Sequence, residues 1–425
     1  MSGWNTIRLG DLCAKVTSGG TPLRSIREYY EGGTIPWLKT GEVKKGYVWE
    51  VEEFITERGL RESSAKLIPA NSLIVAMYGD GNTAGNVAIN KVPLATNQAC
   101  CNFILNPKLA DYRYVYHYLK ASYSNLVGLK LGGSQQNLNA ATLKAFPINV
   151  PSLATQQKIA AILSAYDDLI TNNQRRITLL ERMAEDIYRE WFVRLRFPGH
   201  EQVKIEKGVP KGWSLVKLEK AFKFYGGATP ARDTPRFWQN GDVNWFTPTD
   251  ITGADGIFLS ASGECCTEEG LRNCSSTLFP PYSVMMTSRA TIGAIGINLT
   301  PACTNQGFIT CIPNDAYPLA YLYHWLKLGK PHFESLSVGS TFAELTKGTF
   351  KRMEILTPPQ ALVQQFQQLV APMFKTMEAH LKANASLKQT RDTLLPRLIS
   401  GKLAVDALDI HFPPGMAPPA PQLTT

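Results

Sequence analysis

TQQKIAAILSAYDDLITNNQRRITLLERMAEDIYREWFVRLR, residues 155 to 196, is the stretch whose reading decides the fold. Read as one helix at 1.5 Å per residue, it would be about 60 Å long. Ile170, Asn173, Ile177, Leu180, Ala184, Ile187 and Trp191 fall at alternating spacings of three and four, the rhythm of a coiled-coil seam. A seam needs a partner. Met373, Met377, His380, Asn384, Leu387, Arg391, Leu394 and Leu398 repeat the rhythm between Pro372 and Gly401. Either helix alone would pass for an ordinary amphipathic surface helix. Together they predict two helices packed as an antiparallel coiled coil, each following a mixed, aromatic-bearing segment, in a chain built twice and clasped to itself.

Internal repetition supports that architecture. Thr96-Asn97-Gln98 recurs as Thr304-Asn305-Gln306, a displacement of 208 (304 − 96). At the same displacement Thr21-Pro22 meets Thr229-Pro230, Trp37 meets Trp245, Glu42 meets Asp250, and Thr83-x-Gly85 meets Thr291-x-Gly293. With small shifts, Gly59-Leu60-Arg61 pairs with Gly270-Leu271-Arg272, Tyr116 to Lys120 with Tyr323 to Lys327, and Gln156-Gln157 with Gln364-Gln365. The residues between these anchors differ freely, so the copies share a frame but not a surface chemistry. The expected fold class is α+β: two tandem-repeated mixed α/β domains separated by the two long helices. The expected boundaries are a first domain at 1–151, a central helix at 152–197, a linker and second domain at 198–357, a distal helix at 358–403, and a proline-rich, disordered tail at 404–425. Short apolar runs such as Leu73 to Ala76 and Val87 to Ile89, broken by Gly, Pro and Asn, read as strands, with a helix at about Tyr112 to Leu126.

The chain has 425 residues, 44% of them hydrophobic, with no leader-like start at Met1 to Asp11 and no apolar run of membrane-spanning length. These features predict a cytoplasmic protein with no membrane partner. A net charge of +9 favours an acidic partner, and for a protein of this kind nucleic acid is the commonest one, although many soluble proteins carry such a charge without binding any. The eight cysteines contain no Cys-x-x-Cys, which suits neither a zinc site nor a disulfide framework, so reduced thiols and no metal are expected.

Catalytic signatures are scarce. Gly401-Lys402 is followed by Leu403, so no phosphate-cradling loop is present. Phe279-Pro280-Pro281-Tyr282 resembles the Asn/Asp-Pro-Pro-Tyr loop of amino-methyltransferases, but Phe279 cannot hold a target amino group, and a turn before a strand is the better reading. His117 and His324 match across the repeat inside aromatic helices, where packing outweighs paired catalysis. No catalytic residue and no cofactor is expected.

What remains is binding. Glycine-rich turns carry Ser18, Thr21, Arg24, Lys39, Lys44 and Lys45 in the first copy, with Tyr78, Asn82, Asn97, Gln98, Gln135 and Gln136. The second carries Thr229, Arg232, Arg236, Thr249, Ser288, Arg289, Asn305, Gln306, Thr341 and Phe342. Arg and Lys reach guanine or phosphate, Asn and Gln reach adenine, and close backbone approach needs glycine. The Thr-Asn-Gln amides could equally fix the frame by bonding loop backbone.

Over essentially its whole length the chain resembles the specificity (S) subunit of Type I restriction-modification systems. The resemblance is carried by Gly133-Ser134-Gln135-Gln136-Asn137-Leu138 through Pro147-x-x-x-Pro151 to Gln156-Gln157-Lys158-Ile159-Ala160-x-x-Leu163, and by Leu394-Leu395-Pro396-Arg397-Leu398-Ile399-Ser400-Gly401-Lys402-Leu403. The second copy departs from the first, with Thr341-Phe342-Ala343 in place of Gln135-Gln136-Asn137. The resemblance implies a non-catalytic reader of double-stranded DNA in which each mixed domain is a target recognition domain for one half of a bipartite, asymmetric site. It also implies that the helices hold methyltransferase subunits, two of them, which recruit motor-nuclease subunits. The competing expectation is a scaffold for two protein partners with no DNA contact.

Overall fold

Runs too short for a helix and rich in Val, Ile, Leu and Phe become strands here, because flanking Gly, Pro and Asn stop them after four to six residues. The computed structural model describes residues 4–79, 82–129, 137–337, 343–413 and 416. They form two compact units, one made of residues 1–170 with 386–425 and the other of residues 171–385.

In the first unit a five-stranded sheet runs in the order Cys13–Ser18, Cys100–Leu105, Leu73–Ala76, Val87–Asn90, Tyr47–Val48, antiparallel except for its last pair. A four-stranded sheet places Ile35–Leu38 between Glu53–Ile55 and Leu94–Thr96, with Leu67–Ile68 beyond. The second unit repeats the five-stranded order with Phe224–Gly226, Phe308–Cys311, Val284–Thr287, Ile295–Asn298 and Phe258–Leu259. Its smaller sheet keeps three strands, and the fourth survives only as a bridge from Phe279 to Ala302. In each copy a two-stranded pair, Asn5–Arg8 with Pro147–Val150 or Ser214–Lys217 with Glu354–Thr357, ties the start of the domain to its end.

The central helix spans Leu153–Tyr188 and relaxes into a π turn at Arg189–Val193. The distal helix spans Gln360–Ile399. Each core is built on both helices. In the first unit Leu73, Val75, Ile89 and Phe103 of the sheet, with Tyr114, Val115 and Leu119 of the Tyr112–Ala121 helix, meet Ile159, Ala160 and Leu163 of the central helix and Leu395 and Leu398 of the distal one. In the second, Val284, Met286 and Ile309 with Tyr321 and Leu322 meet Val363, Phe366, Val370 and Met377 of the distal helix and Ile177, Ala184 and Tyr188 of the central one.

The helices run antiparallel within each unit, and polar pairs mark their register. Asn173 Nδ2 donates to Asn384 Oδ1 at 2.9 Å in the second unit. In the first, Arg391 Nη1 meets Asp167 Oδ1 at 2.6 Å, and Asp167 Oδ2 accepts from the Tyr47 hydroxyl at 3.1 Å. Of the expected seam residues, Ile177, Met377, Asn384 and Leu398 are buried, whereas Ile170, Asn173, Leu180, Ile187, Trp191, Leu387 and Leu394 are half-buried. The seam is wider than a pure coiled coil because the central helix also packs on the aromatic Leu319–Leu328 helix, which draws in Tyr188 and Phe192 beside Ile187 and Trp191.

The tail differs from expectation over its described part. Thr155 Oγ1 donates to Asp406 at 2.6 Å, and Lys158 Nζ donates to the carbonyls of Asp406 at 2.7 Å and Leu408 at 2.9 Å. Val405 and Met416 are buried, so apolar residues between the prolines are held by the first core despite the proline-rich composition. No helix among the described residues is long and apolar enough to cross a membrane.

A polar pair in a seam fixes register at a cost in stability. The double replacement Asn173→Leu with Asn384→Leu should therefore raise the melting midpoint by roughly 2–4 °C. Differential scanning calorimetry checks it, and an unchanged or lowered midpoint counts against the role assigned to the pair.

Candidate nucleic-acid interface

The Gly19-Gly20-Thr21-Pro22 turn is built around a buried tryptophan. Trp37 Nε1 donates to the Gly20 carbonyl at 3.0 Å, and in the second copy Trp245 Nε1 donates to Ala228 at 3.0 Å. The turn lies so close to the Thr-Asn-Gln segment that a Cβ at Gly19 or Gly227 would collide with the backbone of Thr96 and Asn97 or of Thr304 and Asn305. Over the tryptophan lies an arginine. The Arg24 guanidinium sits 4.9 Å from the Trp37 ring and 4.5 Å from Tyr30, and Nη1 meets Glu53 at 2.6 Å. Arg232 sits 4.6 Å from Trp245 and 4.0 Å from Trp238, and its Nη2 meets Glu264 at 2.8 Å. The Arg24 guanidinium holds the Glu53 carboxyl below its usual range.

The Thr-Asn-Gln side chains make hydrogen bonds within the frame. Thr21 Oγ1 donates to Gln98 Oε1, as Thr229 does to Gln306 at 2.7 Å. Thr40 Oγ1 donates to Asn97 Oδ1 at 2.9 Å, and Asn305 Oδ1 accepts from the Gly307 amide at 2.9 Å. Thr21, Arg24, Lys39, Asn97 and Gln98 are thus brought into one polar surface in the first copy, where Lys39 pairs with Glu52 at 3.2 Å and Glu53 at 2.9 Å. Thr229, Arg232, Asn305 and Gln306 form its counterpart. Ser18, Lys44 and Thr249 are exposed; Lys45 pairs with Glu42 at 3.0 Å and Arg236 with Glu269 at 3.2 Å.

A second surface in each copy is the turn following Leu73–Ala76 or Val284–Thr287. Tyr78 and Asn82 are exposed on it in the first copy and Arg289 in the second. Ser288 is a correction among the expected contacts: it is 3% exposed, because its backbone is sandwiched between Gly307 and Leu345, so it supports the turn from inside. Gln135, Gln136, Thr341 and Phe342 lie outside the described residues. The acidic partners Glu53, Glu264 and Glu344 were not singled out in the sequence. Glu53 and Glu264 stand 211 apart (264 − 53), so a repeat search tolerating small shifts would have found the first two.

The remaining motifs are structural. Phe279 is buried and Asn298 Nδ2 donates to the Pro280 carbonyl at 2.9 Å, which makes Phe279-Pro280-Pro281-Tyr282 a turn feeding Val284–Thr287. Asn90 grips Pro69 at 2.8 Å in the same way. His117 and His324 are buried within the cores. The cysteines are free thiols, and among the described residues no group of three metal-binding side chains assembles.

Two domains of one frame, each clasped by both long helices and presenting a buttressed polar turn, define the class. Residues 1–182 and 210–391 each match the Type I restriction modification DNA specificity domain, and the chain belongs to that family. It is 28% identical over 422 residues to the MjaIX specificity subunit of Methanocaldococcus jannaschii, covering 95% of this chain and 94% of that one. It is 33% identical over 206 residues to the EcoR124I/EcoR124II specificity subunit of Escherichia coli, covering 47% of this chain and 50% of that one. A crystal structure of the Type I restriction-modification S subunit from M. genitalium shares the fold at a TM-score of 0.59 and 17% identity, covering 93% of this chain and 96% of the other.

Burial pushes both histidines down to about 4. An unfolded histidine titrates near 6.5, so between about 6.5 and 4 the unfolded chain takes up protons that the folded one refuses. Stability should therefore fall with falling pH in that window, by about 1.4 kcal/mol per pH unit for each histidine at its steepest. Urea titrations from pH 7 to 4.5 measure the slope, and the double variant His117→Gln with His324→Gln should flatten it.

Proposed function

We propose that this chain is the non-catalytic DNA reader of a Type I restriction-modification complex, with each mixed domain taking one half of a bipartite, asymmetric site. The observation that carries the reading is the doubled frame: both copies hold the same Trp–Arg–Glu turn, while the exposed side chains beside it differ. One scaffold with two sets of loop residues suits two unlike half-sites. Basic, amide and phenol side chains on those turns, among them Lys39, Lys44, Tyr78, Asn82, Arg236 and Arg289, supply groups for phosphates and base edges. The long helices hold two methyltransferase subunits, which in turn bring the motor-nuclease subunits. No cofactor is required of this chain. Cytoplasmic placement follows from the same role.

DNA binding by the methyltransferase assembly should appear only when this chain is included and should weaken steeply with salt. Binding that is indifferent to the chain refutes the role.

Exchanging the first domain, about residues 3–151, for that of a relative should alter one half of the methylated site and leave the other unchanged. A site changed in both halves refutes the one-domain, one-half-site reading.

The helices are proposed as the ruler. About one turn of duplex, some 10 base pairs centre to centre, suits two domains reading one face. Inserting four residues after Asn173 adds about 6 Å, or between one and two base-pair steps of 3.4 Å. Selection of methylated sites from a randomised library should show the spacer lengthened by one or two base pairs with both half-sites intact. A fixed spacer would mean that the helices do not set the distance.

A further inference from the structure

Two copies of one frame permit an internal comparison: exposed positions that agree serve the frame, and exposed positions that differ are free to carry specificity. Tyr78 and Arg289 are one such position. Each follows a residue whose carbonyl accepts from a leucine amide, Met77 from Leu138 at 3.1 Å and Ser288 from Leu345 at 2.9 Å. Each precedes a residue of positive φ, Gly79 at 136° and Ala290 at 58°. Tyr78 is 38% exposed, and the Arg289 side chain is 46% exposed.

Arg289 is also held differently from the frame arginines. Arg24 and Arg232 lie on tryptophan and spend an Nη group on Glu53 or Glu264. Arg289 instead donates through Nε to Glu344 Oε1 at 2.8 Å, and a β-bridge between the two residues fixes their backbones. The alanine at 290, in a conformation that residues other than glycine rarely adopt, bonds to the Ala343 carbonyl at 3.2 Å, so the turn is pinned on both sides of the arginine. Among the described residues no partner takes its Nη edge. A guanidinium anchored through Nε with both Nη groups open presents two parallel donors in one plane, the pattern that matches guanine O6 and N7 in the major groove.

We propose that Arg289 is the specificity-determining residue of the second unit, pairing with a guanine in its half-site, and that Glu344 is the positioning residue that aims it. The proposal rests on the DNA-reading role above. Tyr78 has a single hydroxyl donor and cannot make this two-donor pair, so the corresponding position of the first unit reads no base in that way.

The test is methylation sequencing of a plasmid library randomised in both half-sites, using the full complex with wild type, Arg289→Ala, Arg289→Lys, Glu344→Gln and Tyr78→Ala. Wild type should require a guanine at one position of one half-site. Arg289→Ala should relax that position alone, with discrimination falling roughly 10- to 100-fold, while the other half-site stays intact. Arg289→Lys should retain part of the preference, and Glu344→Gln should weaken it without changing the base. Tyr78→Ala should leave that guanine required. An unchanged motif in Arg289→Ala, or uniform loss of methylation at every site with an unaltered melting curve, overturns the assignment. A wild-type complex with no sequence preference overturns the DNA-reading role itself.

Discussion

Neither mixed domain can bury its apolar face with the helix that follows it in sequence; each needs a segment of the other helix as well. Leu395 and Leu398 close the core that begins at Leu9, and Ile177, Ala184 and Tyr188 close the core that ends at Met377. Burial of that apolar face is the constraint on which everything else depends. Apolar burial is non-directional, so it does not choose a register. The directional groups do: the Asp167–Arg391 pair in the first unit and the Asn173–Asn384 amide pair in the second give the antiparallel packing a preferred alignment. Asp167 is 5% exposed, and removing Arg391 would leave its carboxylate buried, a cost of about 3–5 kcal/mol.

On that support the frame repeats down to single hydrogen bonds. The tryptophan-to-turn bond, the arginine over the ring, the carboxylate beside it, the threonine–glutamine pair and the asparagine gripping a proline carbonyl all occur twice. Such repetition costs variability at those positions. It leaves the turns after Leu73–Ala76 and Val284–Thr287 to diverge, one carrying tyrosine and the other arginine.

Much of this could be read from the residues. A three-four rhythm kept over more than twenty residues has few explanations besides a helix with one buried stripe, and the rhythm at Ile170 to Trp191 and Met373 to Leu398 marked both helices. Thr-Asn-Gln, repeated with its glycines and tryptophans, marked the doubled domain. Other features depend on partners distant in sequence. Tyr188 and Phe192 read as off-stripe until the aromatic Leu319–Leu328 helix is placed against them. Ser288 reads as a surface hydroxyl, yet the strand pairing around it decides its burial. The tail reads as disordered by proline content, but Val405 and Met416 find an apolar surface and Lys158 caps three of its carbonyls. At the candidate site, the residue types of Arg24 and Arg232 alone do not show that each lies over a tryptophan and pairs with a glutamate. The chemistry of a cation is set by what already neutralises it, and spacing does not reveal that.

The discontinuous make-up of the first unit bears on synthesis. Its core joins Leu9 and Leu12 to Leu395, Leu398 and Val405, so the earlier residues must wait for ones nearly 400 positions later. The second unit is one continuous run, 171–385, and has all its parts earlier. On a ribosome the second unit can therefore fold before the first, with the strands of residues 5–105 exposed meanwhile. The order in which the two units can be completed is then opposite to their order in the chain, with residues 386–412 as the closing stitch of the first.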